Sequence, residues 1–599
     1  MKIQLIIDYL ITYSSFWVSW LFLGAIAIAI SGFLTRGMKP QELGASLQEK
    51  DKQAIEAQKY RLSHSKPASA KLIDSFAVVL MSLFILLYIY LIYYKADFAY
   101  SDNSQFTFYS LRDRFFGMPI WTASGRFFPL GLQEYNLISL VSKTVYAYHG
   151  LSVLQLLAVV GSLFFVFKRC QVWIRCLITF AVLTIPSFTV AFFGLIYPER
   201  NIIFWLSIFL VCYQRWSQTG YRTYLFLLLT AAHFSLYYKE PIFLIFSGFA
   251  IFRIGLGLIS HIRNKQSIKF KFLKTYAAEV GLLILSMGFL GLYLGKFLPY
   301  LGQAERNQEE LSWSATLLGY LGSNFLILSL IVVYLLRCLF LIATRRSFDR
   351  FWDAIGLGAI FYFLAFVKLG LFNNYYLAPA DFLAILYFGN LISQLLLRTA
   401  QSDLVKRFMP LAAVGLCAIL VIPQNLDQSA THLLYRKNTI AGKVQLQASL
   451  ERYGDSQSDG SPTNLYFPFP ESGFSLMEFS SFLEYKGLKL VKDPTQTVSD
   501  EPLFLVESPE EFEDSLCVEY GRPHKCFYAE AAEQNDLIVI LPSKQPVSGV
   551  DLAEVEAEAE LVFHYIPQLS WIEKGLLLLS KEYGRPLDWL NAYIFQKQS

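Results

Sequence analysis

The sequence predicts a polytopic α-helical membrane protein followed by a small α/β domain, and three observations predict it. Of 599 residues, 54% are hydrophobic and only 16% charged, where soluble domains carry nearer a quarter charged residues. Several apolar runs approach or exceed about 18 residues, the length that crosses a hydrocarbon core of about 30 Å. After Pro423 the pattern changes to short apolar runs separated by polar, turn-rich stretches.

Spans are expected near residues 16–34, 73–94, 150–167, 174–196, 201–214, 222–238, 241–260, 276–297, 314–342, 352–372, 379–397 and 408–423, about twelve in all. The fifth and the last are short for a bilayer. Segment 16–34 lacks a cleavage site of the secretory kind and reads as a retained span. Loop charge then sets orientation, because Lys and Arg collect on the cytoplasmic side. Residues 36–71 carry eight cations against four carboxylates, and alternate loops such as KRCQVWIR, HIRNKQSIKFKFLK and ATRRSFDR are also basic. The opposite loops are a long aromatic one, YPERN, YYKEP, AERNQEEL and FNNYYLAPAD. They fall on one outer face, together with the C-terminal domain. The organisation expected is an N-terminal span and basic cytoplasmic segment over 1–72, a membrane domain over 73–423 with an external loop at 95–150, and an extracytoplasmic domain over 424–599.

In that last domain, residues 431–454 read as an amphipathic helix, and LYFPF, PLFLV, DLIVILP and AELVFHYI as buried strands. LSWIEKGLLLLSKEYG reads as a further helix. Of seven cysteines, five lie in or beside apolar spans and serve packing. Cys517 and Cys526 fall close together in the polar region, and outside the cytoplasm a disulfide between them is permitted, as are two free thiols.

The loop 95–150 is the segment that most invites a functional reading. A connection of this length between spans is uncommon unless it does something. It interleaves Asp97, Asp102, Arg112, Arg114, Arg126 and Glu134 with many aromatic residues, which favour the boundary between lipid and water. Asp102, with Asp97 as its nearest rival, is the candidate general base, since a carboxylate poised at the interface can accept a proton from an attacking hydroxyl. Helix capping is the competing reading for either. The arginines suit an anionic group, because guanidinium matches phosphate oxygens bidentately.

Three further outer-face groups complete the candidate set. Glu199 and Arg200 occupy the short YPERN turn, with interfacial anchoring as the plainer role. In HFSLYYKEP, the spacing of His233, Tyr237 and Glu240 predicts one helical face, with Lys239 beside it; an interhelical hydrogen-bond network is the alternative. Lys368 near the outer end of a span, with Tyr375 and Tyr376 of NNYYLAP after it, could meet a phosphate or snorkel to the surface. Glu199 and Glu240 could bind sugar hydroxyls or a divalent cation (Mg or Mn). Metal need stays open, as no adjacent Asp-Asp pair is present.

Together these features resemble the GT-C superfamily of membrane glycosyltransferases, among them protein mannosyltransferases and aminoarabinose transferases. YSDNSQ with Asp102 stands where that family has its catalytic loop carboxylate, GRFFPL is similar to a Gly-Arg-aromatic stretch later in the loop, and YYLAP resembles a Tyr-containing, Pro-terminated turn. Asn373 and Asn374 stand where several members have Arg or Lys, leaving Lys368 or a loop arginine for the phosphate. The resemblance implies transfer of a sugar from a polyprenyl-phosphate donor to a lipid, glycan or protein acceptor outside the inner (plasma) membrane. A polysaccharide polymerase or ligase and a transporter or flippase of lipid-linked sugars are the alternatives; no nucleic acid is implied.

Overall fold

The structure is a computed structural model describing residues 2–36, 68–100, 103, 105–109, 111, 114–121, 126–263, 270–297, 312–399, 404–456, 463–467, 473–490, 503–508, 518–519, 522–523, 527–528, 531–541, 552–582, 587 and 590–598. Most of the basic segment after Arg36, and also Asp102, Arg112, Cys517 and Cys526, lie outside the described residues. The chain divides into two compact units whose limits cut across the linear sequence. One comprises Met1–Leu91, Gly117–Leu137 and His149–Leu426; the other comprises Ile92–Phe116, Ile138–Tyr148 and Asp427–Ser599. The external loop anticipated as one piece is therefore shared between them.

The first unit is helical and belongs to a multi-pass membrane protein. Seven segments among the described residues are long and apolar enough to cross a bilayer: Ser14–Leu34, Lys71–Tyr93, Val145–Val166, Glu240–Arg263, Ala277–Gly295, Phe325–Ala343 and Asn374–Gln394. Two expected spans are interrupted. The one at 174–196 is two helices, Val172–Leu183 and Pro186–Phe193, bent by 71°, because a proline lacks the amide proton and forces its predecessor out of the helical region. The one at 314–342 breaks at Asn324, whose side chain accepts from the Ile327 amide and caps the second half. Helix Glu199–Thr219 extends well beyond the expected 201–214. Small residues let helices approach closely in lipid. At Gly358, a β-carbon would come within 3.0 Å of the Ile245 carbonyl oxygen on the helix Phe243–Arg263.

Two buried carboxylates of this unit are matched by arginines. Arg253 Nε donates to Glu279 Oε1 at 2.5 Å, and Arg337 Nε to Asp353 Oδ1 at 2.8 Å. Unpaired charges at such depth are costly, so partners accompany them.

The second unit is built on a mixed sheet. After β1 (Ile120–Trp121) and β2 (Arg126–Phe127) of the first unit come β3 (Thr463–Tyr466), β4 (Lys489–Leu490), β5 (Leu503–Ser508), the separate antiparallel pair β6 (Val518–Glu519) and β7 (Arg522–Pro523), β8 (Phe527–Tyr528), β9 (Leu537–Ile540), β10 (Ala559–Tyr565) and β11 (Ala592–Lys597); the mixed sheet runs β10-β11-β9-β3-β5-β4, with β8 also on β5. The β3, β4, β5, β8 and β9 pairings are parallel, and β11 lies antiparallel to both β9 and β10. Strands fall on the four apolar runs singled out above, and helix Trp571–Leu579 on the fifth. The helix expected at 431–454 is instead part of one long helix, Leu404–Ser456, that Pro423 does not end. Leu465, Leu537, Val539 and Ile594 of the sheet pack with Phe479, Leu483, Leu446 and Leu450 of the helices. Ala99 and Tyr100 join the same core, so burial of apolar surface fixes the first part of the loop in this unit.

Candidate functional site

The site is built from four chain segments of the first unit that meet around buried charges. Pro198 opens the helix Glu199–Thr219, and Glu199, Arg200 and Asn201 of its first turn are all buried. An acidic residue there suits the positive end of the helix dipole. Successive helical residues point about 100° apart, so Glu199 and Arg200 do not pair as neighbours in a turn. Glu199 Oε1 accepts from Lys239 Nζ at 2.6 Å. Arg200 donates to Ser152 Oγ and Tyr135 Oη, each at 2.6 Å, and reaches Glu134 at 3.4 Å. Asn201 Nδ2 donates to Glu134 Oε1 at 2.6 Å and its Oδ1 accepts from Gln155 Nε2 at 2.7 Å. Burial pushes the Glu134 carboxyl above its ordinary value, against Arg200 and Asn201, which pull it down.

Lys239 and Glu240 are delivered by a break. The helix Arg222–Leu236 ends, Lys239 is extended, and Glu240 begins a short 3-10 turn with Pro241 inside it. The single face proposed for His233, Tyr237 and Glu240 is thus corrected: the helix stops at Leu236, the chain is extended at Lys239, and Glu240 is off that helix. Freed from it, Glu240 Oε1 accepts the Phe127 amide at 2.6 Å and Arg126 Nε at 3.3 Å. Phe127 and Arg126 form β2 (Arg126–Phe127), which pairs antiparallel with β1 (Ile120–Trp121). Arg126 also lies over the Phe128 ring at 5.0 Å. Burial acts to weaken its proton affinity, yet Glu240, and then Tyr376 and Tyr375, hold it above the ordinary value.

The fourth segment is the 3-10 turn Asn374–Leu377. The Lys239 ammonium lies over the Tyr376 ring at 4.1 Å and 5.7 Å from that of Tyr375, a favourable cation–π geometry. Tyr375 packs on Tyr197 at 4.7 Å. Buried Tyr362 is within electrostatic range of Glu199, Glu240 and Tyr376. Glu199 Oε2 and Tyr362 Oη are buried without a hydrogen-bond partner among the described residues. Buried polar atoms are rarely left so; here one acceptor and one hydroxyl keep hydrogen-bonding capacity.

The remaining sequence candidates take other positions. Asp97 Oδ2 accepts from Lys486 Nζ at 2.8 Å and Oδ1 from the Phe98 amide at 2.7 Å, both within the second unit. Arg114 and Lys368 are exposed. His233 stacks on Trp20 at 4.8 Å and meets the Trp20 carbonyl at 2.9 Å. Tyr237 packs edge-on against Phe16 and Phe289. Asp102 and Arg112, and the Cys517–Cys526 pair, fall outside the described residues. Among the described residues, no group of three or more His, Cys, Asp or Glu gathers to hold a metal ion. Glu199 and Glu240, the carboxylates considered for a divalent cation, each face a cationic side chain instead.

Sequence reasoning missed Asn201, Gln155 and Tyr362, whose signal is a polar atom inside or beside an apolar span. It also missed Asp381, fully buried, whose Oδ2 accepts from Ser187 Oγ at 2.6 Å and Oδ1 from Asn324 Nδ2 at 2.9 Å. Comparison with family models, curated proteins and solved structures returned no match to this chain.

Proposed function

We propose that the chain is a GT-C-like membrane glycosyltransferase of the inner (plasma) membrane that moves a sugar from a polyprenyl-phosphate donor to an extracytoplasmic acceptor. The observation that carries this reading is the convergence of Arg126–Glu240, Glu199–Lys239 and Tyr375–Tyr376, contributed by four loops that charge alternation assigns to one membrane face. An anionic lipid-linked sugar needs a cation for its phosphate and polar groups for its hydroxyls, within reach of the boundary. Arg126 is the cation best suited to change partner. Its side chain is 28% exposed and its contact with Glu240 is 3.3 Å, longer than the 2.6 Å of Lys239–Glu199. A donor phosphate taking Arg126 would leave the Glu240 carboxylate to accept from a sugar hydroxyl, beside Glu199 Oε2.

Chemistry then follows from direct displacement. The acceptor oxygen forms its bond to the anomeric carbon while the bond from that carbon to the phosphate oxygen breaks. The acceptor proton passes to a carboxylate, for which Asp102 is proposed, and the carrier leaves as polyprenyl phosphate. Charge growing on the leaving oxygen is stabilised by Arg126.

A second reading, a transporter or flippase of lipid-linked sugars, draws on Asp381. It bonds to Ser187 and Asn324 at the interruptions of two expected spans, and broken helices around a buried carboxylate recur in transporters. Purified protein in nanodiscs, given a radiolabelled polyprenyl-phosphate sugar and a mixed acceptor extract, separates the two. Release of free carrier supports transfer; binding or translocation of intact donor without release rejects it.

A further inference from the structure

The helix Lys2–Thr12, just ahead of the span Ser14–Leu34, has no part in the site described, yet its surface divides into three sectors. With residues about 100° apart, Ile3, Ile7, Leu10 and Ile11 fall on one side. All four are exposed, at 75%, 42%, 49% and 66%. Gln4, Asp8 and Thr12 follow in the next sector, also exposed, with Gln4 Nε2 donating to Asp8 Oδ1 at 2.8 Å. The last sector holds Tyr9 and Tyr13, turned to the protein. Tyr9 Oη donates to Gln133 Oε1, and a β-carbon at Gly117 would come within 2.8 Å of Tyr13 Oη.

Four contiguous exposed aliphatic side chains would be a liability in water. The span of 21 residues that follows already covers about 30 Å of hydrocarbon, which leaves Lys2–Thr12 at the boundary, beyond the core. The exposed apolar stripe continues onto that span through Val18, Leu21 and Phe22. We propose that Lys2–Thr12 is an interfacial anchor, its Ile3–Ile7–Leu10–Ile11 face lying among lipid acyl chains and its Gln4–Asp8 face in water. Such a helix buries one face in the headgroup and acyl boundary. Through Tyr9 and Tyr13 it grips the segment Gly117–Gln133, which carries Arg126, and so sets the height of that segment against the membrane. The inference does not depend on the reaction catalysed.

The test uses the full chain in nanodiscs of phosphatidylethanolamine and phosphatidylglycerol. A photoreactive benzoylphenylalanine is placed at Ile7, Ile11, Asp8 or Thr12, and illuminated protein is weighed by mass spectrometry. Phospholipid adducts several-fold more abundant at Ile7 and Ile11 than at Asp8 and Thr12 are expected. Equal yields at all four positions overturn the anchor, and so does a crosslinked dimer at Ile7 in place of lipid adducts, which would give the face to a second copy. Nitroxide labels at the same positions supply an independent reading: collision with oxygen over a water-soluble nickel chelate should be favoured at Ile7 and Ile11, and an identical ratio throughout rejects the proposal.

Discussion

Glu199 and Glu573 are both fully buried carboxylates bonded to a lysine, and what surrounds them differs. Glu573 accepts from Lys95 Nζ at 2.7 Å through one oxygen, and from Tyr94 Oη, the Ser570 amide and Ser570 Oγ through the other. Ser570 and Glu573 form a capping box that starts the helix Trp571–Leu579. Both oxygens are used, with four hydrogen bonds in all. Glu199 has Lys239 on one oxygen and no hydrogen-bond partner on the other among the described residues. A satisfied buried pair stabilises a fold, whereas an unsatisfied one is held there by the rest of the structure and keeps capacity for a ligand. The comparison teaches where to look for function: at the carboxylate the fold leaves incomplete.

The largest expected effects separate these two. Glu573→Gln removes the carboxylate from Lys95, Tyr94 and Ser570 together and should cost about 3 kcal/mol of stability, as losing one member of a buried pair does. Chemical unfolding of the full chain in nanodiscs measures it, and turnover per folded molecule should stay unchanged. Glu199→Gln also strands a buried lysine, Lys239, and costs stability in its own right, but it alone should lower kcat/KM about tenfold or more per folded molecule. Equal turnover losses in both variants would dissolve the distinction.

Next in size is the contrast between the two loop aspartates. Asp102→Asn should reduce turnover by about 10²-fold if that residue takes the acceptor proton. Asp97→Asn should leave turnover intact and cost no more than about 1 kcal/mol, since its partner Lys486 is a partly exposed lysine. A collapse of turnover in the Asp97 variant instead would return the base to that position.

How much of this was legible in the sequence depends on the kind of signal. Apolar runs located helices, but of the twelve or so spans expected, seven segments among the described residues are long and apolar enough to cross a hydrocarbon core. Pro186 marks one interruption openly; Asn324 marks another only through its side-chain cap, which hydropathy does not register. Glu199, Arg200, Lys239 and Glu240 were all identifiable as charges at span ends. Their pairing was not, since neighbours in sequence diverge on a helix and the actual partners are Lys239, Glu134 and Arg126 from other segments. Division of the loop between two units was equally hidden: it follows from burial of Ala99 and Tyr100 in the sheet core, a tertiary event.

A smaller effect concerns acid. Burial would raise the Glu573 pKa, but the Lys95 and Ser570 hydrogen bonds overcome it and hold the carboxyl below its ordinary value of 4.5. Below that value the unfolded chain therefore binds more protons than the folded one. The stabilisation is complete above pH 4.5 and disappears as pH falls through the folded value. Unfolding followed from pH 6 down to about 3 should show an acid loss that Glu573→Gln makes shallower; identical slopes would contradict the assignment.

The central claim is that the donor phosphate is bound where Arg126 meets Glu240, in the same cluster as Glu199 and Lys239. Its most direct test is the apparent KM for a polyprenyl-phosphate sugar in Arg126→Gln, with exposed Arg114→Gln as control. A charge-assisted contact to a fixed anion should be lost in the first variant alone, raising donor KM about tenfold, while Arg114→Gln stays at the wild-type value. Wild-type donor KM in Arg126→Gln, with the protein folded, would contradict it.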